Sequence, residues 1–436
     1  MLMLKFWQTT GLALAGLALT TLAAAAQDAA APTPPATTGA GPGPATQPPP
    51  APGTAQPAPT QAPAPPAPAA PPTNYKIQYN GLIDGYVQYS LQNPHGTQLD
   101  NSAASGAYNA RIKTPTLQLA EINIFNTPRP GGFAFKTTLI AGDTADQNHA
   151  NYNFVTGGTV GSTSEAQFKN IQQLYGTYAF AGAGGGIDVG KFYTPFGYEV
   201  TEANADYNYT RSLPYNLTPF YHAGIRAYTP SFKGLVVTGY VVNNIFNTAT
   251  EGLHHQGNYG GIGQLNFTDP KGRFTAIGTL GFGKDLLGGA KTKITINDDD
   301  VTYNLNPSQL IGLDYTYVQQ KPDGGLPKTT QNGYAFYYRQ QLTPKTAFAG
   351  RFSGFNSKTD GIPALGETAS TPPSSLKPNE FTLTYEYKPQ ASLTTRLEYR
   401  HDSSNQQSYL GKNDSALGGP SKKNEDLLIL AGLFTF

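Results

Sequence analysis

The sequence predicts an all-β chain, a transmembrane antiparallel up-and-down β-barrel of about 16 strands, with 14 or 18 as the neighbouring counts. Three observations carry the prediction. From residue 74 to residue 436, apolar side chains recur at every second position in segments of about 9 to 15 residues, the period of a strand whose two faces meet different surroundings. Short turn-forming clusters alternate along the chain with long polar connections, as where one rim of a barrel is tightly turned and the other carries loops. Charged residues make up only 13% of the 436, about half the share usual in a soluble globular chain, so something other than surface charge keeps the protein in its solvent.

The N-terminus reads as an address. Lys5 precedes a small, apolar run over residues 11–19 that grades into Ala23-Ala24-Ala25-Ala26. A positive start, a short apolar stretch and an A-x-A ending predict a cleaved secretory signal over residues 1–26, cut before Gln27. The stretch is shorter than the ~20 residues that a spanning helix needs. Residues 27–73 hold 17 Pro among 47 residues and a single charge, Asp28. Pro removes backbone donors and the segment has little to bury, so a disordered periplasmic spacer is expected, reaching at most about 145 Å at roughly 3.1 Å per residue. Its uses are a tether to the cell wall or a tail without a partner. Without Lys5 the 29 basic residues become 28, matching the 28 acidic ones. A neutral chain lacks the clustered cations on which phosphate binding leans, which sets nucleic acid aside as a partner. With no Cys, disulfides, thiolate metal sites and thiol nucleophiles are excluded.

Residues 74–436 supply the strands. In the first, Ile77, Tyr79, Gly81, Ile83, Gly85, Val87, Tyr89 and Leu91 form one face, and Gln78, Asn80, Asp84, Gln88 and Ser90 the other. Near the end, Phe381, Leu383, Tyr385 and Tyr387 oppose Glu380, Thr382, Thr384, Glu386 and Lys388, and Leu393, Thr395, Leu397 and Tyr399 oppose Thr394, Arg396, Glu398, Arg400 and Asp402. Short turns are expected at residues 127–132, 181–185, 229–234, 268–272, 306–308, 343–345 and 388–390, where Pro, Gly, Asn and Asp supply the backbone angles of tight hairpins. Longer connections are expected near 93–113, 142–168, 194–221, 248–256, 285–293, 321–331, 357–377 and 403–423. Seven turns and eight loops join 16 strands, with both chain ends on the short-turn rim. The alternation falters around residues 291–305, after three consecutive Asp, and there the count is least secure.

A bilayer core offers no water to unpaired backbone groups, so only helices or closed barrels span it. The longest apolar run after the signal is residues 427–434, too short for a helix. A barrel therefore places its apolar face against lipid and its polar face around a lumen wide enough for water at this strand number. A soluble sandwich or β-helix shares the period-two pattern. The hairpin count, the 27 Tyr and 22 Phe suited to interfacial girdles, and the charge on the polar faces argue against it.

The last strand places Asp426, Leu428, Leu430, Gly432, Phe434 and Phe436 on one face and ends on Phe436. A terminal Phe on an alternating strand resembles the signal read by the assembly machinery of Gram-negative outer-membrane barrels, which is the partner this implies. The block Val189-Gly190-Lys191-Phe192-Tyr193-Thr194-Pro195-Phe196-Gly197, with Asn208-Tyr209-Thr210-Arg211-Ser212 and Thr218-Pro219-Phe220-Tyr221-His222-Ala223-Gly224-Ile225-Arg226, resembles the β-barrel porin-2, OmpL-like family. The resemblance covers residues 74–436 and leaves out the Pro-rich spacer. It implies a porin-type channel in the outer membrane, passing small hydrophilic solutes. A trimer or other homo-oligomer is expected only by analogy with porins of this strand number.

Channel discrimination needs charges facing the lumen and a loop that narrows it. The connection 194–221 is the expected plug, carrying Glu199, Glu202, Asp206 and Arg211 among Tyr207, Tyr209 and Tyr215. Period-two phasing turns Arg226, Asp314, Arg339, Arg351, Glu386, Arg396, Glu398 and Arg400 inward. The expectation is an eyelet in which acidic loop residues face a basic wall; the plainer alternative is solvation of the lumen with cross-strand pairing. No metal or cofactor is expected. Asp298-Asp299-Asp300 lacks the spacing and closing Glu of a Ca²⁺ loop and reads as a solvated turn or strand entry. His254-His255 sits in an external loop without further ligands. The Gly and Ala residues at 181–186 suit a hairpin, not a dinucleotide fingerprint. His401-Asp402-Ser403 is adjacency without triad geometry, and no G-x-S-x-G elbow occurs, so an enzyme is not expected. The alternative to a channel is a closed barrel serving surface display, adhesion or envelope tethering.

Overall fold

A computed structural model describes residues 76–99, 107–150, 169–182, 184–246, 259–287, 290–359, 375–414 and 420–436; the expected signal and spacer lie outside them, as does the pair at 254–255. Among the described residues sixteen strands close into one antiparallel barrel, each paired with its sequence neighbours and the first with the last. They are β1 Ile77–Ser90, β2 Thr116–Asn126, β3 Phe133–Ala141, β4 Ile171–Ala179, β5 Gly186–Tyr193, β6 Tyr221–Tyr228, β7 Leu235–Val242 and β8 Gly260–Thr268. The second half comprises β9 Phe274–Leu287, β10 Ala290–Asn306, β11 Gln309–Pro322, β12 Thr329–Thr343, β13 Thr346–Thr359, β14 Asn379–Gln390, β15 Leu393–Ser403 and β16 Asn424–Thr435. An α-helix, α1 Asp143–Ala150, interrupts the connection after β3, and a 3₁₀ turn spans Pro214–Leu217. No described helix is long and apolar enough to cross a membrane.

Closure depends on the chain end. Gly81 N donates to Phe436 O at 3.0 Å and Phe436 N to Gly81 O at 3.2 Å, so the terminal residue is tied into the ladder. A Cβ on Gly81 would meet the Phe436 ring at 2.3 Å and Glu121 O at 2.6 Å, which is why a side chain is missing there. On the outside of β15 and β16, Leu397, Leu428 and Leu430 stand exposed, as lipid-facing residues do in an isolated chain. Aromatic side chains gather outward beside the short turns: Tyr79, Phe133, Phe232, Tyr387 and Phe436. Asp269 closes one such turn by accepting from Phe274 N at 2.7 Å and Lys271 N at 3.1 Å, and these donors hold its carboxyl below the ordinary range.

Three expectations change. Residues 285–293 are not a long external connection: β9 and β10 run on to Leu287 and Ala290, leaving a two-residue link. The last short turn falls at 391–392, because β14 continues through Gln390. Asp298, Asp299 and Asp300 are neither a turn nor a strand entry but the middle of the 17-residue β10. The alternation there keeps its phase. What changes is the polarity of the inner face, which runs from buried Ile294 and Ile296 to buried Asp298 and Asp300. The two Ile join Phe192, Phe196, Leu213 and Leu217 in an apolar cluster inside the barrel, so an inward face need not be polar where something packs against it.

Candidate functional site

That packing partner is the connection 194–220, which leaves β5, crosses the lumen and returns to β6. Its inner end binds the wall of β8 to β12. Pro195 O accepts from Gln264 Nε2 at 2.9 Å and Thr279 Oγ1 at 3.2 Å, and Gly197 N donates to Asp298 Oδ1 at 2.8 Å. Gly197 has φ +98°, a conformation that favours glycine. Tyr198 then stacks on Tyr337, ring centroids 4.4 Å apart, and Gly312 leaves room for its hydroxyl.

The far side of the loop docks on β13 to β15 and β1, a quarter of the barrel's circumference from β5 at β1 and half of it at β13. An irregular loop has backbone carbonyls without ladder partners, and inside a barrel they need donors. Three wall arginines supply them. Arg351 donates to Thr210 O, Arg396 to Ala203 O, Asp206 O and Asn208 O at 2.6 to 3.0 Å, and Arg400 to Arg211 O at 2.6 Å. Each guanidinium also meets a carboxylate: Arg351 pairs with Glu199 at 2.8 Å and Glu380 at 2.7 Å, Arg396 with Glu386 at 2.7 Å, and Arg400 with Asp402 through both oxygens. Glu398 does the complementary work for donors, accepting from Tyr209 N at 2.5 Å, Thr210 N at 2.9 Å, and Thr210 Oγ1 and Thr384 Oγ1 at 2.6 Å. Tyr209 Oη reaches Asp84 on β1 at 2.7 Å.

The other site residues take distinct places. Arg211 staples the loop to itself, donating to Val200 O, Thr201 O and Tyr209 O at 2.5 to 2.6 Å and pairing with Asp206 at 3.0 Å. Burial pushes the Asp206 carboxyl up, with Arg211 opposing and Glu199 adding to the push. Glu202 accepts from Tyr193 Oη on the β5 side. Arg339 pairs with Glu386 at 2.9 Å. Arg226 pairs with Asp188 at 2.7 Å beneath the loop, its guanidinium over the rings of Tyr175 and Phe192. Asp314 stands apart beside Asp298 and Asp300. Arg351, Arg396, Arg400, Glu398 and Glu199 are thus buried in a loop-to-wall joint, in direct contact and not facing one another across water. Asp84, Glu380, Thr384 and Asp402 complete that joint. Their inward phase was legible; their pairing with the loop was not.

Glu398→Gln is expected to loosen the joint. An amide nitrogen would confront two of the four donors, and unsatisfied buried donors cost about 1–3 kcal/mol. Limited trypsin digestion of the folded protein should then cleave after Arg211 faster than in wild type. An unchanged cleavage rate would remove Glu398 from the docking scheme.

A closed sixteen-strand barrel with a lipid-facing exterior and a loop folded into its lumen defines an outer-membrane channel protein of the porin class. More narrowly, the chain belongs to the family described as Putative beta-barrel porin-2, OmpL-like, whose model matches residues 76–436. Among solved structures, similar barrels are the outer-membrane channel DcaP of Acinetobacter baumannii (TM-score 0.53, 11% identity, 83% of this chain and 97% of that one) and an anion-selective porin from Comamonas acidovorans (0.51, 14%, 83% and 99%). The outer-membrane protein OmpT of Vibrio cholerae is a third (0.51, 12%, 83% and 97%). At these identities the likeness is one of fold. None of the curated proteins compared matches the sequence.

Proposed function

We propose that this protein is a diffusion porin whose water-filled passage runs off-centre, between the docked loop and the wall of β2 to β7, and admits small hydrophilic solutes. The observation that carries the reading is the one-sidedness of the joint. The arginine and carboxylate contacts hold the loop against β13 to β15 and β1, while the opposite wall keeps a polar recess of about 240 Å³ that includes Lys136, Thr177, Asp188, Arg226, Gln264 and Asn266. In this scheme Glu199, Asp206, Arg211, Arg351, Glu386, Arg396, Glu398 and Arg400 fix the constriction. Glu202, Arg339 and Asp314 flank it, and Arg226 faces the passage.

Reconstitution in planar bilayers tests the reading. Stepwise conductance is expected, with liposomes swelling in small sugars and not in larger oligosaccharides. Arg226→Ala, which leaves Asp188 without that cation, should shift the reversal potential toward cation preference. A barrel that inserts but carries no current would favour the closed, surface-displayed alternative.

A further inference from the structure

Asp298, Asp300 and Asp314 are lumen acids outside the arginine joint. Asp298 and Asp300 lie two apart on β10 and so share its inner face, and Asp314 on β11 is directly opposite Asp300. One oxygen from each carboxylate lies within 4.8 Å of the other two. The side chains are 0%, 6% and 2% exposed. Elsewhere in the lumen, Asp188, Glu199, Glu380, Glu386 and Asp402 each have an arginine partner. Among the described residues these three Asp form no ion pair with Arg, Lys or His. Their neutral donors are few: Gly197 N and Thr316 Oγ1 bond Asp298 at 2.8 Å, and the single Thr316 hydroxyl proton is shared with Asp314 at 3.2 Å. A second observation falls on the same group. Asp300 Oδ1 is buried and has no hydrogen-bond partner. Three carboxylates this close repel one another when ionised, and one of them has an orphaned oxygen, so the group calls for a counter-charge as well as a donor.

We infer that Asp298, Asp300 and Asp314 form a binding site for a divalent cation of Ca²⁺ size. The donor set is all oxygen, which suits a hard cation, and Ca²⁺ accepts such sets in flexible geometry, whereas Mg²⁺ demands a near-ideal octahedron and gives up its waters reluctantly. Asp298 also holds Gly197 N, so the ion fixes β10, β11 and the first turn of the lumen loop as one unit.

The test uses the full chain refolded into detergent from inclusion bodies, so that no lipopolysaccharide brings calcium with it. The protein is stripped with EDTA and titrated calorimetrically with CaCl₂ and, separately, MgCl₂. One Ca²⁺ per chain is expected, with weaker Mg²⁺ binding and a Ca²⁺-dependent rise in unfolding temperature. Asp300→Asn and Asp314→Asn should each weaken binding at least tenfold. Both remove mutual repulsion, and heat-modifiable migration on gels reports that each has folded. Asp299→Asn, on the outer face, should bind as wild type. Absence of Ca²⁺ binding at millimolar concentration, or undiminished binding in both inner variants, would overturn the site. If neither inner variant folds, a wild-type unfolding temperature indifferent to Ca²⁺ overturns it equally. Because binding and not current is measured, failure here leaves the channel reading standing.

Discussion

Arg351→Ala is expected to release the lumen loop and lower the stability of the folded barrel by about 3–5 kcal/mol, the range seen when one partner of a buried ion pair is removed. The size follows from what the guanidinium leaves behind. Arg351 is 1% exposed and touches two carboxylates, Glu199 on the loop and Glu380 on β14, together with Thr210 O, Thr210 Oγ1 and Thr382 Oγ1. Truncation strands both carboxylates in a site closed to water until the loop lifts. Urea unfolding in detergent micelles reads the loss, and single-channel recording should show flickering, larger openings. Arg351→Lys keeps the charge but not the planar fork that reaches both carboxylates and the carbonyl, so it should recover only part of the stability. Wild-type urea midpoint and quiet conductance in the Ala variant would show that the loop is held by other contacts.

The same joint explains why so much of this protein could be read from its sequence and why the rest could not. Strand number, lipid-facing side and inward phase follow from a local rule, because Leu397 and Arg396 are neighbours that must point opposite ways whatever surrounds them. What an inward side chain meets is not local. Around residues 291–305 the alternation falters on sequence alone, because nothing within β10 announces that Ile294 and Ile296 share a cluster with Phe196 and Leu217. Asp298 and Asp300 read as a turn or strand entry for the related reason that their cross-strand neighbours, Thr316 and Asp314, lie fourteen or more residues further on. Phasing and charge place the wall arginines inward and leave open a field across water or pairing along the wall. Their geometry answers a different need, the backbone carbonyls of a loop with no ladder of its own. Buried Ile112 and Leu99 show that the connection after β1 also packs inward, against Leu119 and Ile140, a feature its polar composition hid.

Replacing residues 199–212 by a short Gly-Ser link should raise single-channel conductance several-fold while leaving a folded barrel. The strand ladder does not depend on the loop: every strand pairs with both neighbours, and β5 and β6 pair directly with each other. Deleting the whole dock also differs from deleting one anchor, because it admits water to the wall. Arg351, Arg396 and Arg400 then lose their carbonyl partners but keep Glu380, Glu386 and Asp402 beside them, now solvated, so the desolvation penalty that makes Arg351→Ala costly disappears. The deletion should therefore be the milder change in stability and the larger one in current. Ion preference should weaken, since near-balanced charges on a wide, wet wall are screened within about 8 Å at physiological salt. The pair of variants separates two roles that a single substitution confounds: if the deletion leaves conductance at the wild-type level, the loop is a structural strut and the narrowest part of the passage lies elsewhere along the barrel.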